Sequence, residues 1–360
     1  MENVAVAMSG GVDSSVAAAL LKEEGYQVIG ITMQVRPEDK AGSSDFIDGA
    51  RSVADALGIP HYVVDLRDIF QEKIISPFCE EYGTGRTPNP CVRCNRYIKF
   101  DALLKQARSL GASHFATGHH ARVTRDSSSG RTLLQKGVDM AKDQSYFLHA
   151  LTQEQLSHAL FPIGHLTKEE VRATAKEKKL PVSSRPESQD ICFIPDNNYA
   201  KFVRDLIPRA FRLGPILDER GNILGSHRGI MNYTIGQRKG LGIAASEPRY
   251  VIAIEAENNA VIVGGKESAF SDKLVATNVN WIAIDPPTEP VSATARIRYR
   301  HSEADATITP VDEDIVYVKF KKPQLAITPG QAVVFYNGDI VLGGGTIKST
   351  GKAKEHDRIG

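Results

Sequence analysis

No run of the sequence is apolar for long enough to cross a membrane. The opening residues 4–8 are apolar, but a spanning helix needs ~20 such residues, and no basic segment precedes them. The chain reads neither as membrane-anchored nor as led by a secretory signal, so a cytoplasmic location is expected. Cysteine is scarce, with 4 in 360 residues: Cys79, Cys91, Cys94 and Cys192. That number in a cytosolic chain argues against a framework of structural disulfides. Cysteines that cluster are therefore read for metal, redox or nucleophilic chemistry. Net charge is lacking too. Lys plus Arg number 44 against 43 Asp plus Glu, a formal +1, so a nucleic-acid partner would need a local basic patch. There is no internal repeat and no low-complexity tract.

What is present is an ordinary globular composition, 41% hydrophobic and 24% charged, long enough for two or three domains. Residues 4–8, 26–33, 61–65 and 114–117 read as strands. Residues 14–24, 47–57, 68–82, 100–110 and 143–160 read as helices by apolar periodicity and stop signals. Strands alternating with helices predict an α/β class with a parallel sheet and crossover helices. Thr167 and Glu170 form a capping box that opens a basic helix ended by Pro181. Residues 125–131 read as an exposed turn. After about residue 200 the helical periodicity fades. Residues 293–300, 306–310, 315–319, 332–336 and 340–344 read as short strands of a small β-barrel. The expected domains are a catalytic domain 1–200, a mainly-β central domain 201–272 and a C-terminal β-barrel 273–350, with 351–360 a polar tail.

Ser9, Gly10, Gly11, Val12, Asp13, Ser14 and Ser15 follow the first strand and open the first helix. The glycine pair lets backbone N–H groups approach an anion closely. The serine hydroxyls and the helix N-terminus add donors and a favourable dipole, and Asp13 can hold a magnesium ion. No Gly-Lys-Ser/Thr follows, so this is not a Walker loop. The string resembles the PP-loop of ATP pyrophosphatases, which split ATP to AMP and pyrophosphate and adenylate a substrate oxygen. The resemblance implies ATP contacts from Ala7 and Met8 through Ser14, and adenosine contacts at Met33 and Gly118. By residue type alone, Met33 reads equally well as core.

The stretch 87–95 reads as a loop from its prolines and asparagines, which predicts accessible cysteines at Cys91 and Cys94. Arg86, Arg93 and Arg96 surround them, and positive charge lowers a thiol pKa. Cys192 lies far downstream in a second motif, 187–195. Three readings stand open. One cysteine carries a persulfide and another resolves it. Alternatively, Cys91, Cys94 and Cys192 hold an iron–sulfur cluster with one open iron. The third reading is zinc, although one CxxC supplies only two of four ligands. Cys79 sits on a predicted helix beside Phe78 and reads as core.

The strings at 9–15, 87–95, 117–122, 142–148 and 187–194, in this order, resemble the tRNA-specific 2-thiouridylase family. Residues 233–241 and the terminal barrel also fit, so the resemblance spans nearly the whole chain. It implies a PP-loop, adenine nucleotide alpha hydrolase-like catalytic domain that uses ATP and Mg2+. It makes Cys94 the nucleophile and Cys192 the persulfide carrier. Asn89, Pro90 and Cys91 become the base-contacting stretch, with tRNA contacts at His119, Lys142, Asp143, Gln144, Tyr299, Arg300 and Gln331. The best-known members carry an aspartate where this chain has Cys91, and the substitution creates the CxxC that keeps a 4Fe-4S cluster in play. The tRNAs for Lys, Glu and Gln are the expected substrates, and a cysteine desulfurase or sulfur carrier the expected donor.

A tRNA surface has some support from charge. Residues 201–240 hold eight Lys/Arg against three acids, a local +5. Arg296, Arg298 and Arg300 alternate, so on a strand they would share a face. The expected reaction is attack of the wobble uridine 2-oxygen on the ATP α-phosphate, then replacement of the adenylated oxygen by sulfur. Another PP-loop enzyme, such as a tRNA-lysidine synthetase, needs no reactive cysteine pair. A non-catalytic RNA-binding protein with zinc-holding cysteines would release no pyrophosphate.

Overall fold

The computed structural model describes residues 2–36, 43–186, 191–194, 198–207 and 211–351. Residues 37–42 between the second predicted strand and second predicted helix, the stretch 187–190 of the second cysteine motif, Arg209 of the basic stretch and the tail 352–360 lie outside the described residues. The chain divides into two compact units. One comprises Met1–Ile74, Cys91–Phe193 and Asn337–Gly343; the other comprises Ile75–Pro90, Ile194–Tyr336 and Gly344–Gly360.

In the first unit β1 (Asn3–Ala7), α1 (Val12–Glu23), β2 (Gln27–Gln34), α2 (Ser43–Leu57), β3 (His61–Asp65) and β4 (His114–Thr117) follow the predicted alternation. A hairpin of β5 (Ala121–Arg125) and β6 (Thr132–Lys136), then β7 (Ala159–Leu160) and α3 (Lys168–Glu177), complete it. The sheet order is β3-β2-β1-β4-β7, with every pair parallel. Val4, Ala5 and Val6 are fully buried, as expected of a central parallel strand covered on both faces. Gly25, at φ +90°, lets the chain leave α1 in the left-handed region. Val12, Val16 and Ala19 of α1 pack with Val171 and Ala175 of α3. Burying each valine stabilises this seam by about 1.5–3 kcal/mol. β1 is followed by β2 on one side, while β4 joins its other side. The strand order therefore reverses between β1 and β4, where open α/β sheets bind their ligands.

Two expectations for this unit fail. The predicted helix over 143–160 is instead a short turn of 3-10 helix, Ser145–Leu148, and one helical segment, Gln153–Ser157. The Asp143 carboxylate accepts from the Ser145 N–H at 3.0 Å, and Thr152 starts a new helix with its own capping box. Both residues satisfy the local backbone in ways that interrupt a continuous helix. The second failure is the predicted loop through Cys91 and Cys94. A helix begins at Pro90 and runs as Pro90–Arg93, then as a π-helical segment Cys94–Leu103. Proline is well suited to a first helical position because its missing N–H would have no partner there.

The second unit holds α4 (Tyr199–Leu206) and the strands β8 (Gly214–Leu217), β9 (Ile223–His227), β10 (Tyr250–Glu255) and β11 (Ala260–Gly264). These four strands form a sheet, β10-β11-β8-β9, around Ile216, Tyr233, Val251 and Val263. Then come β12 (Phe270–Trp281), β13 (Val291–Arg296), β14 (Ala304–Asp312), β15 (Ile315–Leu325), β16 (Ala332–Asn337) and β17 (Ile340–Thr350). The order β12-β15-β14-β13-β16-β17, with β17 pairing back to β12, closes a six-stranded barrel. Closure leaves no edge strand. Along β15, Val316, Val318 and Phe320 point inward with period two.

The three arginines expected on one strand face do not share it. β13 ends at Arg296, which is 7% exposed. Its Nη2 donates to Glu303 Oε1 at 2.7 Å, and its guanidinium lies 5.1 Å from the Tyr336 ring centre. Burial is tolerable because this charge is paired. Arg298 lies beyond the strand and donates to the Leu325 carbonyl at 3.2 Å. Arg300 is exposed in the following turn.

Candidate active site

The loop after β1 is shaped by its own hydroxyls. Ser14 Oγ donates to the Gly11 carbonyl at 3.2 Å and accepts from the Ser9 N–H at 3.2 Å. Ser15 Oγ donates to the same carbonyl at 2.8 Å. Gly10 has φ +67°, and a Cβ there would sit 2.5 Å from the Phe46 carbonyl oxygen. Arg185 Nη1 donates to the Gly10 carbonyl at 2.9 Å and ties the loop to the Asp45 carbonyl at 3.2 Å. Beneath it, Thr32 Oγ1 donates to the Met8 carbonyl at 2.8 Å. Gly118 directly follows β4, and a Cβ there would lie 2.5 Å from Ser14 N. Only glycine lets this segment touch the loop backbone. Met33 is half-buried on β2, paired in register with Val64.

Asp13 meets two groups. Lys168 Nζ, the first residue of α3, donates to Asp13 Oδ1 at 2.5 Å. His120 Nε2 stands 3.8 Å from the same oxygen, too far for a hydrogen bond. Burial works to raise the Asp13 carboxyl, but His120 and Lys168 outweigh it and hold it below the usual carboxylate range. His120 is 2% exposed, and neither ring nitrogen has a hydrogen-bond partner among the described residues. Each unmet buried polar group costs about 1–3 kcal/mol.

All four cysteines are free. Cys91 and Cys192 reach solvent, whereas Cys94 is buried. Although Cys91 reaches solvent, protein crowds it, and desolvation pushes its thiol up to about 11. Desolvation pushes Cys94 up to about 12 and raises Cys192 as well. Each of Cys91 and Cys94 is raised further by the charge of Cys192. The three sulfurs therefore occupy one neighbourhood, although Cys192 is distant in sequence. Lys99 is the cation that opposes the rise at all three.

The arginines expected to activate these thiols are engaged elsewhere. Arg86 Nε donates to Glu81 at 2.6 Å, Arg93 Nε donates to the Lys73 carbonyl at 3.0 Å, and Arg96 lies 5.3 Å from the Tyr97 ring centre. The expected lowering of the thiol pKa values is thus reversed, because desolvation exceeds the nearby positive charge. Cys79 is buried and pushed up to about 11, as a core cysteine should be. Three neighbouring thiols still do not make a metal cradle. Among the described residues, no three His, Cys, Asp or Glu side chains converge so as to hold a metal ion. A 4Fe-4S cluster needs converging thiolates, and the described residues present no such three-ligand group.

The remaining predicted contacts divide. His119 is 7% exposed, bonds Thr117 Oγ1 at 2.7 Å and packs near Phe100 and Phe161. Desolvation holds it well below the ordinary histidine value, so it stays neutral. Asp143 is 1% exposed and accepts from the Gly137 and Ser145 N–H groups. Its carboxylate is turned inward and braces the loop that carries Lys142. Gln144 clasps the His120 backbone: its Oε1 accepts from His120 N–H at 3.0 Å, and its N–H donates to the His120 carbonyl at 2.9 Å. In the second unit, Gln331 Nε2 donates to the carbonyls of Thr87 and Pro88, at 2.9 and 3.3 Å, just before Asn89 and Pro90. Tyr299 is half-exposed.

The family described as tRNA methyl transferase HUP domain matches residues 2–196. Its companion PRC-barrel domain matches 200–265, and an aminomethyltransferase beta-barrel domain matches 271–347. The tRNA-specific 2-thiouridylase MnmA of Acetivibrio thermocellus is 52% identical over 356 residues, covering 96% of this chain and 99% of that protein. The tRNA-specific 2-thiouridylase MnmA 1 of Caldanaerobacter subterraneus subsp. tengcongensis is 53% identical over 354 residues, covering 96% and 97%. The chain belongs to the tRNA-specific 2-thiouridylase family.

In this 2-thiouridylase fold, several residues beside the PP-loop and the three cysteines had no motif to announce them. Lys168 read only as part of a basic helix, and Arg185 drew no reading. Lys99 carried no sulfur signal, because its relation to Cys94 depends on the π-helical register, in which residues five apart are bonded along the axis. His120 stood beside a histidine already given a role. Its doubled position in His119-His120 was the one available sign.

Proposed function

We propose that the chain is an ATP-dependent sulfurtransferase that replaces the 2-oxygen of the wobble uridine in tRNA with sulfur. The observation that carries this reading is the shared neighbourhood of Cys91, Cys94 and Cys192, in the same unit as a PP-loop at the reversal point of a parallel sheet. Family membership supports the tRNA substrate. ATP binds at Ser9–Ser15, with the uniform donors of a glycine-rich loop and a helix N-terminus around its phosphates. Magnesium would arrive with the triphosphate, and Asp13 is the carboxylate that would hold it.

The 2-oxygen of the base attacks the α-phosphate and pyrophosphate leaves. The terminal sulfur of a Cys192 persulfide then attacks C2, and AMP leaves with the oxygen. Attack by the Cys94 thiolate on the Cys192 sulfur breaks the S–S bond to the transferred sulfur and yields the 2-thiolated base. It leaves a Cys94–Cys192 disulfide. The two thiols lose two electrons and the sulfane sulfur gains them, so the step balances. An external thiol must reduce the disulfide, and a cysteine desulfurase or sulfur carrier must reload the persulfide. The expected substrates are the tRNAs for Lys, Glu and Gln. Among the described residues no helix is long and apolar enough to cross a membrane.

The test is reconstitution with purified tRNA, ATP and a persulfide donor, read by mass spectrometry of the modified nucleoside. Formation of 2-thiouridine with matching AMP release supports the reading; pyrophosphate release with any other product overturns it. Iron and sulfide assays on anaerobically purified protein test the cluster alternative, which predicts about four irons per chain.

A further inference from the structure

Taking the loop Ser9–Ser15 as the ATP site, as proposed above, we infer that His120 and Lys168 form its polyphosphate clamp, with the Asp13 carboxylate standing in for phosphate oxygen until nucleotide arrives. His120 is buried to 2% exposure, yet both ring nitrogens lack partners among the described residues. Its place is fixed by its backbone. Gln144 clasps the His120 N–H and carbonyl, and the missing side chain of Gly137 leaves room for them, since a Cβ there would sit 2.7 Å from the His120 carbonyl oxygen. A buried, immobilised, unsatisfied imidazole is unfavourable unless a ligand completes it.

Lys168 is held just as firmly. Its backbone N–H donates to Asp139 Oδ2 at 3.0 Å, and Thr167 caps the helix it opens. Its ammonium and the His120 ring meet the same oxygen, Asp13 Oδ1. Asp13 lies in the first turn of α1, whose N-cap residue Gly11 supplies no side-chain acceptor for the helix amides. A cation and an unpaired imidazole thus face one carboxylate at the start of α1. An arriving polyphosphate offers oxygens in place of that carboxylate and releases Asp13. The clamp recognises the chemical class of nucleoside triphosphate and pyrophosphate more strongly than a monophosphate, which carries less charge for Lys168 to meet.

The experiment is calorimetric titration of the full chain, without tRNA, with ATP, inorganic pyrophosphate and AMP. The variants are His120→Asn, Lys168→Gln and Lys168→Arg. Affinity for ATP and pyrophosphate should fall about tenfold or more in His120→Asn and Lys168→Gln, the loss expected of one charge-assisted hydrogen bond. AMP should lose less, and Lys168→Arg should retain most of the affinity. In tRNA-dependent pyrophosphate release, the KM for ATP should rise while the KM for tRNA holds. Unchanged ATP and pyrophosphate affinity in both variants would overturn the clamp. So would equal losses for AMP and pyrophosphate, which would point to general loosening. The Lys168→Arg variant keeps the charge, and a urea midpoint measured for each variant reads out whether a loss reflects folding. The titration needs no thiolation, so it still reports on the clamp if the protein proves not to modify tRNA.

Discussion

The proposed nucleotide end and the proposed sulfur end of the first unit are built on opposite principles. At the nucleotide end the loop's own polar groups are already paired, and the His120 ring is the exception. Ser14, Ser15 and Arg185 hold the loop, and Lys168 and His120 attend Asp13, whose carboxyl is held below its usual range. At the sulfur end the groups are left without strong charged partners. Cys91 and Cys94 are pushed up to about 11 and about 12 by desolvation, with Lys99 the main opposing cation. One end is preorganised for charge; the other is kept neutral. The two are linked by a row of charge-sensitive neighbours, since His119 feels both Lys99 and His120. The difference suits the order of the reaction. ATP must find a formed site, whereas a standing thiolate beside solvent would react with stray oxidants before tRNA arrived.

The largest effect expected from breaking this contrast is at the sulfur end. Cys94→Ser and Cys192→Ser should each lower thiolation by at least about 10^3-fold, with ATP affinity unchanged within about twofold in calorimetry. The split matters. A cysteine variant that also lost ATP binding would show that the two ends are one structural unit. Either variant thiolating tRNA at the wild-type rate would remove the sulfur assignment.

The second effect is on thiol reactivity. A thiol raised from 9.0 to about 12 keeps its proton across the physiological range, and its thiolate fraction falls about tenfold for each unit of the rise. Native Cys94 should therefore react with iodoacetamide at pH 8 at least about a hundredfold slower than in the unfolded chain. The rate should keep climbing between pH 9 and pH 12, where an ordinary thiol levels off. Mass spectrometry of trypsin-digested samples reads each cysteine separately. A plateau near pH 9 would mean that the sulfur end is not kept neutral.

At the nucleotide end, Gly118→Ala should be felt through the loop. The new Cβ would lie 2.5 Å from Ser14 N and 2.6 Å from the Asp13 carbonyl carbon, and backbone cannot yield as a flexible side chain does. Overpacking of this kind costs about 1–3 kcal/mol. The expectation is a KM for ATP raised about tenfold, with the cysteine alkylation profile untouched. A shifted profile would show that strain crosses from one end to the other.

These contrasts were unequally legible in the sequence. The glycines, serines and Asp13 were readable because their work is local: φ at Gly10 and the start of α1 are set within a few residues. The barrel was readable from period-two burial, and the capping box at Thr167 from its spacing. Lys168 was not readable, because its meeting with Asp13 depends on how α3 packs on α1. The neutral state of the thiols was misread for a related reason. Arg93 and Arg96 are near Cys94 in sequence, but they face Lys73 and Tyr97. Sequence proximity predicts charge without predicting direction. The same error put Arg298 on a strand that ends at Arg296.

The smallest effect separates redundant from singular preorganisation. Thr32 is 3% exposed, and its hydroxyl donates to the Met8 carbonyl and meets His61 Nε2, both at 2.8 Å. Valine has nearly the same shape without the hydroxyl. Thr32→Val should destabilise the unit by about 0.5–1.5 kcal/mol, read as a small fall in the urea midpoint. The loop is also held by Ser14, Ser15 and Arg185, so the KM for ATP should rise less than about fivefold. A much larger rise would mean that the loop hangs on this one bond beneath Met8. The nucleotide end would then be no more robust than the sulfur end, and the contrast between a site built in advance and a site held quiet would lose its structural basis.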